Sequence, residues 1–302
     1  MHETRNVPLN TNATEYRDAL GAALASLCDR HVTPIGGPVA DAIRYSLLGE
    51  GKRMRAILFL SAFEAAGGTG DASALAAAIE VVHAYSLVHD DLPCMDDDDV
   101  RRGRPTVHRV YGVAAATAAG VAMVPLAALT AVEASQQLGL PDSVTSAIVA
   151  ELMQAAGAGG MIGGQLLDLE GERAPLSLHE LERIHRAKTG ALITASAALG
   201  GLAARAPARR VDALRRYGAA LGLAFQIADD VLDVTATSVQ LGKTAGRDLE
   251  LHKSTYPALL GVEGARQRAA SLVDEACQVL EAVGLLTPRL EEIARFTVER
   301  TS

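Results

Sequence analysis

Two groups of carboxylates carry most of the chemistry this sequence could do. "DDLPCMDDDD" places six aspartates between Asp90 and Asp99, and "FQIADDVLDV" places Asp229, Asp230 and Asp233 far downstream. Like charges this close repel one another on a helix unless something neutralises them. A hard divalent cation with oxygen ligands would do so. Magnesium, held by a few carboxylates with water and phosphate oxygens, suits the pattern better than calcium, which takes a fuller protein cage. Calcium-loop spacing, with its central Gly and terminal Glu, does not occur in the chain. Either run alone could be a solvated acidic patch. Each, however, follows a markedly apolar stretch, which puts it at the rim of a core.

Basic residues come in compact groups: Lys52, Arg53 and Arg55 in "GKRMR"; Arg101 and Arg102; Arg186 and Lys188 in "RAKTG"; Lys243 and Arg247 in "LGKTAGRD"; and Lys253 in "LHKSTYP". One such group is more often a solvated charge than a ligand. Near turns and beside two acidic clusters, together they make a metal and phosphate site the economical joint reading. Magnesium would bridge carboxylates and a diphosphate that otherwise repel, and the basic groups would complete the neutralisation.

The elements that must position these residues read as all-α. From about Thr14, apolar residues recur at spacings of three and four, and extended β-branched alternation is almost absent. Gln226, Asp229 and Asp233 fall on one helical face; Ile79, His83, Ser86 and Asp90 share a face of an earlier helix. Gly and Pro clusters such as "TPIGGP", "GGTGD", "GLPDS" and "ARAPAR" break the helices in short gaps. One domain over residues 1–302 is expected, with 1–14 as a flexible N-terminus. Helices around 110–132, 189–203 and 218–228 are apolar almost all round, as if enclosed by other helices or by a second subunit. Val110 to Val132 runs 23 residues without a charge, long enough for a membrane span. Its Ala, Gly and Thr content, with Pro125 inside, reads instead as a buried central helix.

Composition narrows the function classes. With 49% hydrophobic and 21% charged residues the chain is that of a packed globular protein, and a net charge of −8 argues against nucleic acid as a partner. Cys28, Cys94 and Cys277 are odd in number and form no C-x-x-C pair, so neither a disulfide framework nor a zinc site is indicated. The N-terminal stretch has no apolar core after a basic start, so a cytoplasmic chain is expected.

Taken together these residues are recognisable: the chain resembles the short-chain trans-isoprenyl diphosphate synthases, and looks most like bacterial farnesyl diphosphate synthases and their geranylgeranyl relatives. The family's D-D-x-x-x-x-D motif and the R-R-G-x-P-T-x-H run after it match Asp90, Asp91, Asp96, Arg101, Arg102, Gly103, Pro105, Thr106 and His108. F-Q-x-x-D-D-x-x-D matches Phe225, Gln226, Asp229, Asp230 and Asp233. Gly51 with Lys52, Arg53 and Arg55, His83, the Gly163-Gly164-Gln165 run, the Lys188-Thr189-Gly190 run and the segment around Lys253 match as well.

The resemblance implies a single-domain orthogonal helical bundle of the isoprenoid synthase type, usually a homodimer, with a central cavity between the two motifs. It implies head-to-tail condensation of isopentenyl diphosphate with dimethylallyl or geranyl diphosphate. Three Mg2+ ions would bind: Asp90 and Asp96 would hold two and Asp229 the third, with Asp91, Asp230 and Asp233 close by. Arg101, Lys188, Lys243 and Lys253 would hold the allylic diphosphate. Lys52, Arg55, His83 and Arg102 would grip the metal-free isopentenyl diphosphate, and Thr189 and Gln226 would face the developing carbocation. Such chemistry needs no side-chain nucleophile, in keeping with the lack of a Ser-His-Asp or Cys-His candidate.

Product length is expected from the residues below the first motif. Tyr85 and Ser86 precede Asp90 by five and four residues, roughly 6 to 7.5 Å along a helix. In the family a bulky residue there stops elongation early, so Tyr85 implies farnesyl diphosphate (C15), with geranylgeranyl diphosphate (C20) as the alternative; Tyr85 could also merely pack against a neighbouring helix. Val121 stands where the family usually has Asp, Ala56 where it has Pro and Glu50 where it has Gly. A class I terpene cyclase should lack the Lys52, Arg55 and His83 set, and a non-catalytic partner subunit should have lost aspartates or lysines.

Overall fold

The computed structural model describes residues 11–171, 175–235 and 254–299. Almost all of these are helical, as the apolar periodicity predicts. In chain order the helices are α1 (Thr11–Leu27), α2 (Gly37–Leu47), α3 (Met54–Ala65), α4 (Ser73–Asp90), α5 (Val107–Tyr111), α6 (Val113–Gln137), α7 (Asp142–Ala156), α8 (Met161–Gly171), α9 (Leu178–His185), α10 (Ala191–Ala203), α11 (Ala208–Thr235), α12 (Tyr256–Glu281) and α13 (Pro288–Glu299). α1 begins at Thr11, inside the stretch expected to be flexible.

Local chemistry sets several of the starts. Asp71 Oδ1 accepts the amide of Ser73 at 2.8 Å and opens α4. Ser177 and Glu180 form a reciprocal capping box at α9, and Thr255 caps α12 ahead of Pro257. α12 is broken at Gly261, whose φ of 73° leaves the helical region.

Two apolar clusters organise the packing. One gathers α1, α2, α4, α6 and α7, the other α11, α12 and α13, and α3 and α10 contribute to both. α10 packs against α3, α7 and α11, and so joins the two. It is buried almost all round, as its composition predicts. The acidic ends of α4 and α11 therefore emerge at core rims.

Two features depart from the sequence reading. A two-residue hairpin, Val100–Arg101 with Arg104–Pro105, follows the first aspartates. Its turn is made by Arg102 and Gly103, with φ of 53° and 73°. Positive φ at both central residues is the hairpin-compatible type I′ pattern, which Gly103 favours. Second, α6 is not enclosed. One face packs on α4, while Val113, Val121 and Leu129 on the other are 47%, 61% and 45% exposed. α6 is long and apolar enough to cross a membrane by length and composition. Its Ala116, Ala119, Met123 and Ala127 face is nonetheless buried in protein.

Candidate active site

The first motif is built by a chain reversal at the end of α4. The amide of Asp96 donates to the carbonyl of Asp90 at 2.9 Å, Met95 donates to Leu92, and Asp97 takes a left-handed φ of 51°. This fold-back brings Asp96 beside Asp90. Burial, with the charge of Asp96 adding and Lys188 opposing, pushes the Asp90 carboxyl up to about 6. Asp91 turns elsewhere: it is buried and accepts Arg101 Nε at 2.6 Å. Burial alone would lower the Arg101 pKa, but Asp91, Asp90 and Asp96 hold it above its ordinary value.

The hairpin sends Arg102 to the other side, over the loop before α3. Its Nη1 donates to the Glu50 carbonyl at 3.1 Å, and its Nη2 lies 3.4 Å from His83 Nε2. Arg55, in the first turn of α3, approaches the same nitrogen at 3.3 Å. Two guanidiniums thus share one imidazole. Burial and the surrounding arginines drive the His83 pKa well below its usual value, so the ring is neutral and Nε2 accepts. Burial also lowers Arg55, with the charge of Arg102 adding, and Arg102, with Arg53 and Arg101 adding, and Arg55 Nε is buried without a hydrogen-bond partner. A compact cationic cradle in this state is stabilised by an anion. Lys52 is exposed at its edge.

Arg53 lies between these residues in sequence but is engaged differently. From a left-handed φ of 53°, its guanidinium donates to Glu80 Oε2 at 3.1 Å and to the carbonyls of Leu47 and Gly49 at 2.8 and 2.6 Å. The second oxygen of Glu80 accepts the Ala56 amide at 3.3 Å, a bond that proline at 56 could not make. Arg53 fixes the loop that carries Lys52 and Arg55.

The opposite wall comes from α8, α9 and α11. Arg186–Gly190 forms a short π-helical turn between α9 and α10, a distortion common at functional sites, and it carries Lys188 and Thr189. Gly164 of α8 touches the main chain at Ala187 and Lys188 so closely that any Cβ there would overlap it. Lys188 Nζ donates to Asp168 Oδ2 at 2.6 Å; burial opposes its charge, but Asp168, Asp90 and Asp96 raise its pKa. Thr189 Oγ1 donates to Gln226 Oε1 at 2.8 Å, and Gln226 Nε2 donates to Asp230 Oδ1 at 3.2 Å. Asp230 Oδ2 also accepts the Tyr256 amide at 3.0 Å. His185 stacks on the Tyr256 ring and brings Nε2 to 3.4 Å from that oxygen.

Asp96, Lys188, Gln226, Asp229 and Asp230 therefore line one cavity of about 200 Å³. Arg101 and Arg102 border a separate hollow of about 80 Å³ with Asp91. Asp233 is buried in α11. Tyr85 is buried, its hydroxyl donating to the Ala156 carbonyl at 3.0 Å, and Ser86 Oγ donates to the His83 carbonyl. Lys243 and Lys253, expected to hold a diphosphate, lie outside the described residues. Asp168, His185 and Glu80 were not singled out by the sequence. Glu80 had a signal: a lone acid inside the apolar run "AAAIEVVHAYS" must find a partner. Asp168 and His185 had none beyond their proximity to matched motifs.

The donor set of the cavity is suited to a hard cation, since the candidate ligands are carboxylate oxygens. Among the described residues no three carboxylate, His or Cys groups converge to enclose an ion. Magnesium retains water and substrate oxygens in its shell, so a few carboxylates are enough to hold it.

The comparisons with known proteins agree with this chemistry. The family model described as polyprenyl synthetase matches residues 38–283. Farnesyl diphosphate synthase of Escherichia coli is 46% identical over 268 residues, 87% of this chain and 89% of the relative. The chloroplastic geranylgeranyl pyrophosphate synthase of Capsicum annuum is 46% identical over 245 residues, 80% of this chain and 66% of the relative. Among solved structures, the geranyltransferase of Helicobacter pylori, complexed with magnesium and isoprenyl diphosphate, superposes with a TM-score of 0.78 at 31% identity, covering 96% of this chain and 97% of that one. The all-α fold is the one these synthases share. A carboxylate-lined cavity beside an arginine cradle, in a chain that matches synthases of both product lengths, makes this protein a prenyltransferase of the polyprenyl synthetase family.

Proposed function

We propose that the chain makes farnesyl diphosphate by magnesium-dependent, head-to-tail condensation of isopentenyl diphosphate with dimethylallyl and then geranyl diphosphate, within one catalytic domain. The observation that carries this reading is the division of charge. The carboxylates Asp90, Asp96 and Asp229 accompany Lys188 on one side, and Arg55, Arg102 and His83 form a cradle on the other. A diphosphate bridged by metal belongs on the first side; a metal-free diphosphate belongs in the second.

Asp90 and Asp96 would hold two magnesium ions and Asp229 a third, with Asp233 behind it. Magnesium supplies Lewis-acid neutralisation of the diphosphate leaving group. Lys188 and Arg101 add fixed positive charge where that group's negative charge grows, and Asp91 keeps Arg101 aimed. Lys243 and Lys253 are assigned to the same diphosphate. Arg55, Arg102 and Lys52 orient isopentenyl diphosphate so that its double bond meets the allylic cation. The hydroxyl of Thr189, ordered by Gln226 and Asp230, turns oxygen lone pairs to that cation. The released diphosphate is a base strong enough to accept the proton lost afterwards. The apolar helices around the cavity exclude the water that would quench the cation.

Tyr85 supports a C15 end point: it is buried one and a half turns below Asp90, between α4 and the end of α7. C20 is the alternative, since relatives of both kinds match equally well. The exposed apolar stripe of α6 supports a homodimer in which a second copy covers it. Sedimentation at several concentrations tests this, a monomer at all of them removing it. The product test is incubation with magnesium, isopentenyl diphosphate and dimethylallyl, geranyl or farnesyl diphosphate in turn, with product length measured. A C15 end point is expected. C20 would mean that the tail passes Tyr85, and no product with any primer would overturn the catalytic assignment.

A further inference from the structure

Tyr85 does not hold its position alone. Its hydroxyl is tied to the Ala156 carbonyl, and its ring meets the imidazole of His89, one turn up α4, edge to face at 5.8 Å and 87°. Residues i and i+4 of a helix share a face, so the two rings meet edge to face on one side of α4, with Tyr85 tied to α7 and His89 to α6. His89 is fixed in turn. Its Nε2 lies 3.1 Å from the Thr117 carbonyl of α6, and a carbonyl can only accept, so Nε2 carries the proton. The imidazole also fills the space over Gly120 that any Cβ would occupy, with His89 Nε2, Cδ2 and Cε1 as the nearest atoms. Val121, the next residue, is exposed.

We propose that His89 is a positioning residue for product length: wedged between Gly120 and the Tyr85 ring, it holds that ring as the end wall of the prenyl-tail pocket. This rests on the reading that Tyr85 is the wall of a C15 synthase. Tyr85 is thus held at its hydroxyl by Ala156 and at one edge of its ring by His89. Without His89 one clamp is gone and a ring-sized space opens beside it. The residue directly before the first metal-facing carboxylate thereby links the α4–α6 packing to the length of chain the enzyme makes.

The test is the C20-to-C15 product ratio with magnesium, isopentenyl diphosphate and geranyl diphosphate, read by mass spectrometry. A ratio within one enzyme is insensitive to how much of the protein is folded. The wild type must first end at C15; an end point of C20 removes the underlying reading before any variant is made. His89→Ala is expected to raise the ratio roughly fivefold, the size of one aromatic edge contact of about 1 kcal/mol. Gly120→Ala adds one methyl that displaces the imidazole, so it should move the ratio in the same direction, and it decides the matter if His89→Ala yields no active enzyme. Tyr85→Ala should lengthen the product by itself, and adding His89→Ala to it should change nothing further. Wild-type ratios in His89→Ala and Gly120→Ala, with a longer product from Tyr85→Ala, overturn the role of His89 and leave Tyr85 as the wall. An unchanged product from Tyr85→Ala overturns the Tyr85 reading itself. An effect of His89→Ala that persists without Tyr85 shows that His89 does not act through it.

Discussion

Asp96 is tied to Asp90 through the main chain, its amide donating to the Asp90 carbonyl at 2.9 Å. The four residues between Asp91 and Asp96 form the loop that makes this return possible. The motif is therefore a geometric device as much as a charge pattern: α4 supplies one carboxylate, the reversal supplies the other, and Asp91 between them is used to hold Arg101.

Asp90→Ala or Asp229→Ala should lower turnover by about a hundredfold or more, the scale on which one electrostatic stabiliser of a developing charge contributes. Far-UV circular dichroism should stay unchanged, because neither residue is part of the apolar core. Near-normal turnover in both variants would remove the assignment of metal ions to these carboxylates.

The arginine cradle predicts a selective defect. His83→Ala removes the acceptor that Arg55 and Arg102 share, and Arg102→Ala removes one donor outright. A hydrogen bond to a charged group contributes about 1.5–3 kcal/mol, so the KM for isopentenyl diphosphate should rise roughly 10- to 150-fold. The KM for the allylic substrate should change little. Equal rises for both substrates would mean that the two diphosphates are not divided as proposed.

The Asp90 pKa gives a pH dependence with a definite sign. Its carboxyl, raised by burial from 3.8 to about 6 in the metal-free protein, binds more protons folded than unfolded between those values. Stability of the metal-free protein from this group is therefore highest below about pH 4 and declines as pH rises toward 6. A cation must displace that proton, so magnesium affinity should fall as pH drops through about 6, approaching tenfold per unit for one proton. The rise in melting temperature on adding magnesium should be larger at pH 7.5 than at pH 5. A magnesium effect independent of pH would exclude Asp90 as a ligand.

Sequence and structure meet most closely where a residue's role depends on helical phase. The shared face of His83, Ser86 and Asp90, and that of Gln226, Asp229 and Asp233, needed only the 3.6-residue period. What stayed hidden depended on chain reversals. That Arg101 and Arg102 part company came from the family resemblance alone, because residue types and spacing in "DDLPCMDDDDVRRGR" do not show the hairpin turn with two positive φ values that separates them. The pairing of Lys188 with Asp168, twenty residues away, needs the close approach that Gly164 permits. The enclosure of α6 was read from composition, which reports that an apolar face must be covered but not by which chain.

Arg53 and Glu80 make the most separable prediction, because they concern stability and not chemistry. Glu80 is 2% exposed, and the Arg53 side chain 14%. Removing one partner of such a buried pair leaves an uncompensated charge and costs about 3–5 kcal/mol, more than the net contribution of the pair itself. Arg53→Ala should therefore lower the unfolding free energy by that order. Glu80→Gln keeps one accepting oxygen, enough for Arg53 or for the Ala56 amide but not both, and leaves Arg53 its two carbonyl partners, so it should cost less. In the double variant Arg53→Ala with Glu80→Gln, the losses should sum to less than the two singles, since the stranded charge is gone. Urea denaturation of the four proteins measures each term. Strict additivity would show that Arg53 and Glu80 do not stabilise the α2–α3 loop as a pair, and that the left-handed φ of Arg53 has another cause.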